Sequence, residues 1–131
     1  MNVSATIKSK LNHIETIVQT NDTAKTITIP PKFSGYGSSI NGGELLLLSL
    51  ATCFCNDIYR EAGKRNMIIS DVEVIVTGEF GAEGEAGSNF HYKANVVSDA
   101  SPAEIKALIE HTDKVAEIHN TLRKGLNISI S

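Results

Sequence analysis

Between residues 3 and 29 apolar side chains alternate with polar ones: Val3, Ala5 and Ile7, then Ile14 and Ile17-Val18, then Ile27 and Ile29. A period of two predicts three short strands, turned at residues 10–12 and at Asn21-Asp22. Pro30-Pro31 cannot donate to a ladder and ends the third, and the glycine- and serine-rich residues 34–39 read as a flexible loop. Asn41 is suited to cap a helix, Glu44 falls in the first turn, where the helix dipole favours an acid, and no proline interrupts the chain as far as Asn66. This predicts the main helix over 41–66. From 45 to 54 it is apolar almost all round, broken only by Ser49 and Thr52, so its first half is expected to be buried on every side. Beyond Asn56 it turns amphipathic, with Arg60, Glu61, Lys64 and Arg65 expected to face water. Residues 72–80 and 90–97 alternate again around a glycine-rich acidic turn at 81–87, which predicts a hairpin. Ser101-Pro102-Ala103-Glu104 has the form of a capping box with proline at the first helical position, and Ile105, Leu108, Ile109, Thr112, Val115 and Ala116 give the second helix one apolar face. Gly125 follows, and residues 126–131 alternate as a last strand.

Strands in runs, separated by helices in the order βββ-α-ββ-α-β, make this an α+β chain rather than a parallel α/β sheet. Its 131 residues, 41% hydrophobic and 21% charged, suffice for one ordinary core. The expectation is a single domain over 1–131: N-terminal strands and loop at 1–40, central helix at 41–66, then hairpin, second helix and last strand at 70–131. Twelve basic residues stand against fifteen acidic ones, and the longest basic cluster is Lys64-Arg65, so nucleic acid is not an expected partner. The longest apolar tract, 45–48, cannot span a membrane, and the N-terminus lacks the regions of a signal peptide; a cytoplasmic protein with no membrane partner is expected. A helix apolar around its whole circumference needs more cover than the rest of so short a chain supplies, which points to a homodimer.

Cys53 and Cys55 are the only cysteines, too few and too close for a secreted disulfide framework. Cys53 lies about three turns inside the central helix, with Ser49, Leu50, Asn56 and Asp57 at helical spacing around it. It is either a small buried hydrophobe or a reactive thiol. Two residues along a helix point roughly 200° apart, so a Cys53–Cys55 disulfide would require the helix to break. His13, His91, His111 and His119 are scattered without ligand spacing, and neither a metal nor a cofactor is expected.

The run from Glu44 through Leu45, Leu46, Ser49 and Leu50 to Cys53 resembles the E-L-L-x-A-x-L-x-x-C helix of the OsmC/Ohr family, the osmotically inducible and organic hydroperoxide resistance proteins. Residues 35–43 are similar to the glycine-rich approach to that helix, 72–78 to the strand after it, and Asn120-Thr121-Leu122-Arg123-Lys124-Gly125 to the N-x-L-x-x-G close of the final helix. The resemblance implies an OsmC/Ohr-like fold, two antiparallel sheets wrapped around long central helices in an intertwined homodimer. It implies reduction of a small organic hydroperoxide by the Cys53 thiolate, with Cys53, Glu44 and Cys55 as the candidate catalytic residues. The sequence departs from the peroxidase pattern in three places. Ala116 stands where the resolving cysteine would be, Gly43 stands where the activating glutamate would be, and the first 59 residues contain no arginine. The resemblance therefore implies weak or altered activity, completed by an external thiol reductant or by Cys55 after local unwinding. The alternative is a non-catalytic dimeric binding module for a small apolar ligand.

Overall fold

A computed structural model describes all of residues 1–131, which divide into two compact units, 1–45 and 46–131. In the first, strands β1 (Val3–Lys10), β2 (His13–Thr20) and β3 (Thr23–Thr26) form an antiparallel sheet in that order, with Val3 opposite Thr20 and Ile17 opposite Thr26. Both connections are two residues long and turn on asparagines in the left-handed region, Asn12 at φ 56° and Asn21 at φ 49°. β3 stops at Thr26, short of the expected 29, and Ile27 to Ile29 lie outside the ladder. The loop that follows is closed rather than loose. Pro31 bridges Ser38, and the Gly37 amide donates to Ser9 Oγ at 3.2 Å. Gly35, at φ 90°, is required there, because a Cβ would stand 2.6 Å from Asn12 Oδ1.

Helix α1 (Gly42–Lys64) begins with a reciprocal cap: the Glu44 amide donates to Asn41 Oδ1 at 2.8 Å, and the Asn41 amide donates to Glu44 Oε1 at 3.0 Å. It ends at Lys64, and two residues on, Asn66 adopts φ 55° while the Met67 amide reaches back to the Ala62 carbonyl, so an asparagine supplies the left-handed stop that glycine more often provides.

In the second unit, β4 (Ile69–Glu79) and β5 (Ser88–Ser98) form the expected hairpin, with Val72 opposite Val96, Val74 opposite Ala94 and Val76 opposite Tyr92. These six form its half-buried face. Phe54, Ile58 and Ala62, one per turn of α1, are fully buried with Leu108 and Ala116 and pack on that face. The burial of α1 therefore runs opposite to expectation. Leu45 to Leu47 are half-buried and Leu48 is 59% exposed, whereas the second half of the helix carries the core. A two-stranded sheet and two short helices cover one side of α1 only, and that side is set by the 54–58–62 spacing. Glu61 is also buried, not in water, because three cationic or hydrogen-bonding partners surround it.

The expected second helix is two. Helix α2 (Pro102–Val115) opens with Ser101 Oγ accepting from the Glu104 amide, and helix α3 (Glu117–Lys124) follows after Ala116, whose ψ of 110° breaks the helix. Gly125, at φ 78°, closes α3. The expected last strand is absent: residues 126–131 form no ladder, and Ile130 is 98% exposed. Alternation specifies a face for a strand but no partner, and neither sheet pairs with this segment. No helix is long and apolar enough to cross a membrane.

Candidate functional site

Cys53 and Cys55 are free thiols on different sides of α1. Cys55 faces a shallow groove with Ala51, Thr52, Asn56 and Val74. Cys53 instead points into a cluster of charge. Its Sγ donates to Asp57 Oδ2 at 3.4 Å, one helical turn on, and Glu117 Oε2 from the first turn of α3 lies 4.0 Å away. The other oxygens of both carboxylates meet a single nitrogen: Arg60 Nη1 is 3.0 Å from Asp57 Oδ1 and 3.0 Å from Glu117 Oε1. Nucleophile, carboxylate and guanidinium thus stand in line, with Asp57 almost wholly buried between the other two.

The electrostatics keep the sulfur protonated. Burial is the main cause that pushes the Cys53 thiol above its ordinary value, and the Asp57 hydrogen bond and the charges of Asp57 and Glu117 push the same way, against one backbone bond from Ile118. Burial likewise raises the Asp57 carboxyl, aided by the charge of Glu117 and opposed by Cys53 and Arg60. Glu117, mostly in solvent, is lowered, first by its own backbone amide and then by its bonds with Asp57 and Arg60. Arg60 continues into a second cluster, where its Nε is 2.8 Å from Glu61 Oε2; Lys64 Nζ, at 2.9 Å, and His111 Nε2, at 2.9 Å, hold the same carboxylate. Together, Lys64 foremost, they bring Glu61 down to about 2.

Of the three candidate residues, only Cys53 lies in this cluster: Glu44 takes part in the helix cap and Cys55 faces the groove on another side of the helix. The groups around Cys53 are Asp57, Arg60 and Glu117. The spacing 53, 57, 60 puts the first three groups on one stripe of the helix and was available as a signal. Glu117 had none, being brought in by the turn at Ala116. That residue, in the expected position of a resolving cysteine, is fully buried in the core. One ligand atom from each of Cys53, Asp57 and Glu117 lies within 4.8 Å of the others, and all three are ligand types a divalent metal accepts, although Arg60 is already paired with both carboxylates.

The family model for OsmC-like protein matches residues 35–131. The chain belongs to the OsmC-like family. Among solved structures, this OsmC-like chain is similar to an OsmC-like protein from Mycoplasma pneumoniae, at 23% identity and TM-score 0.64, over 94% of this chain and 89% of that one. An OsmC-like protein of unknown function from Vibrio cholerae shows the same TM-score of 0.64 at 11% identity, over 92% of each chain. A Legionella pneumophila protein described as an organic hydroperoxide resistance protein matches at 18% identity and TM-score 0.59, over 94% of this chain and 90% of that one. At these identities the likeness establishes the fold: a mixed α and β domain with two antiparallel sheets. No curated protein sequence compared with the chain matches it.

Proposed function

We propose that this OsmC-like protein is a slow, thiol-dependent reductase of small organic hydroperoxides that acts through Cys53, with Asp57 as general base and Arg60 as the group that orients it. The observation that carries the reading is the alignment of Cys53 Sγ, Asp57 and Arg60, at 3.4 Å and 3.0 Å, a nucleophile within reach of a base that a third group holds in place. Family membership, and a structural relative described as a hydroperoxide resistance protein, support it.

In this reaction the Cys53 sulfur attacks the terminal peroxide oxygen as its proton passes to Asp57. The O–O bond breaks, the leaving alkoxide takes up a proton and departs as the alcohol, and the sulfur becomes a sulfenic acid. An external thiol then forms a mixed disulfide with release of water, and a second thiol restores Cys53 and leaves as a disulfide. Cys55 is the poorer resolver because it faces away along an unbroken helix. The reading includes two copies of the chain, whose mutual packing would cover the open side of α1.

The test is peroxide-dependent trapping of a sulfenic acid at Cys53, combined with turnover of cumene hydroperoxide with a dithiol. Turnover is expected to be slow at pH 7 and to climb as the pH is raised, since burial holds the thiol above its ordinary value, and to vanish in Cys53→Ser. Asp57→Asn is the sharper variant. It removes a negative charge from beside the sulfur and so eases thiolate formation, yet it is expected to slow turnover by about 10²-fold through loss of the base. Faster turnover in Asp57→Asn would show that the carboxylate only suppresses the thiol. No trapped sulfenic acid at millimolar hydroperoxide would leave a family fold without the peroxidase chemistry.

A further inference from the structure

A second polar oddity lies on the Leu50 and Phe54 side of α1, where Cys53 takes no part. Side chains of α1, both hairpin strands and α3 enclose a cavity of about 130 Å³, partly open to solvent, with Leu50, Val76, Phe90 and Leu122 as its apolar walls. His119 forms another part of the wall. It is only 4% exposed, and neither of its ring nitrogens has a hydrogen-bond partner. Its ring sits edge-on to Tyr92, with centroids 4.5 Å apart, and tilted to Phe54 at 5.6 Å, so packing rather than hydrogen bonding fixes it. Buried histidines in folded proteins normally find a partner for at least one nitrogen.

Of the other polar side chains on this wall, His91 is exposed to solvent, and Tyr92 and Arg123 are already committed. The Tyr92 hydroxyl donates to Asp113 Oδ1, and Arg123 holds the same oxygen through Nη2 at 2.6 Å and the Asp113 carbonyl through Nη1 at 3.0 Å. Arg123 is paired with Asp113, so its charge is not free for an anion. Burial, and then the charge of Arg123, lower the His119 imidazole and keep it neutral, with one donor and one acceptor nitrogen. A hydroxyl group, which both donates and accepts, complements a neutral imidazole. Cavities near 150 Å³ take a single benzene ring, and aromatic walls favour an aromatic guest packed edge-on or offset.

We propose that this cavity binds a small neutral aromatic alcohol, of which phenol is the simplest, with the ring against Leu50, Val76, Phe90 and Leu122 and the hydroxyl on a ring nitrogen of His119. The site requires no thiol and stands whether or not Cys53 reduces peroxides.

The experiment titrates the intact protein with phenol, benzene and benzoate, followed by amide and histidine side-chain NMR. Phenol is expected to shift the amides of Val76, His119 and Leu122 saturably and to bind about two- to tenfold more tightly than benzene, the worth of one hydrogen bond between neutral groups. The His119 ring nitrogens should move with phenol and not with benzene, a readout that needs no variant. His119→Phe, which keeps an aromatic wall and removes both nitrogens, should bring the two affinities together. Equal affinity for phenol and benzene in the native protein, tightest binding of benzoate, or no saturable shift with phenol would each overturn the proposal. So would a His119→Phe protein that still prefers phenol.

Discussion

Glu61 shows how much one buried carboxylate can be asked to hold. Lys64, Arg60 and His111 converge on it, and its pKa falls to about 2 from an unfolded value near 4.5. A depressed folded pKa contributes stability that is fully present above the unfolded value and is lost as the pH falls through the folded one. Urea unfolding of the native protein is therefore expected to weaken steadily between about pH 4.5 and pH 2, and Glu61→Gln, less stable at pH 7, should show a flatter profile in that window. A parallel loss in both proteins would place the acid sensitivity elsewhere. At this scale the sequence was partly readable. Cys53, Asp57 and Arg60 announce themselves by spacing on one helix, and Arg60 is exposed as expected; the missed step was to treat Glu61 as solvated because its neighbours were polar. Glu117 and His119 were not readable, since their roles depend on a helix that folds back onto α1, with Cys53 and Glu117 64 positions apart in the chain.

The elements were legible where their signals are local. Strand alternation, the turn asparagines, the Ser101 cap and the long proline-free helix all act within a few residues, and the corresponding elements lie where expected, except that the third strand stops at Thr26, before Ile27 and Ile29. The break at Ala116 has no local marker, being an alanine in a good helical context whose extended ψ is imposed by packing in the core. The segment 126–131 failed for the opposite reason: its pattern is strong, but a strand exists only when something pairs with it. The reciprocal cap at Asn41 gives a test that separates structure from chemistry. Asn41→Ala should cost about 1 kcal/mol in urea unfolding and leave alkylation of folded Cys53 unchanged, because Glu44 serves the helix terminus. A changed alkylation rate would return Glu44 to the thiol site.

For the molecule as a whole, the unmet demand is apolar surface. Leu48, Ile75, Val97 and Ile128 are all exposed by more than a third, and the first half of α1 lies open along one side. Contiguous apolar surface is what a protein–protein interface buries. Light scattering at micromolar concentration is expected to give twice the mass of one chain, and a particle of single-chain mass would overturn the homodimer.

The carboxylate pair around Cys53 has a kinetic consequence as well. Asp57 is a helical neighbour, but Glu117 arrives only when α3 has docked, and burial arrives with it. In the unfolded chain the same sulfur has the ordinary pKa of about 8.5 and meets reagents freely. The folded state is thus the less reactive one toward a simple alkylating agent. Labelling of Cys53 in native buffer should proceed largely through transient openings, so that its rate, at reagent concentrations too low to outrun reclosing, reports how often α3 leaves α1.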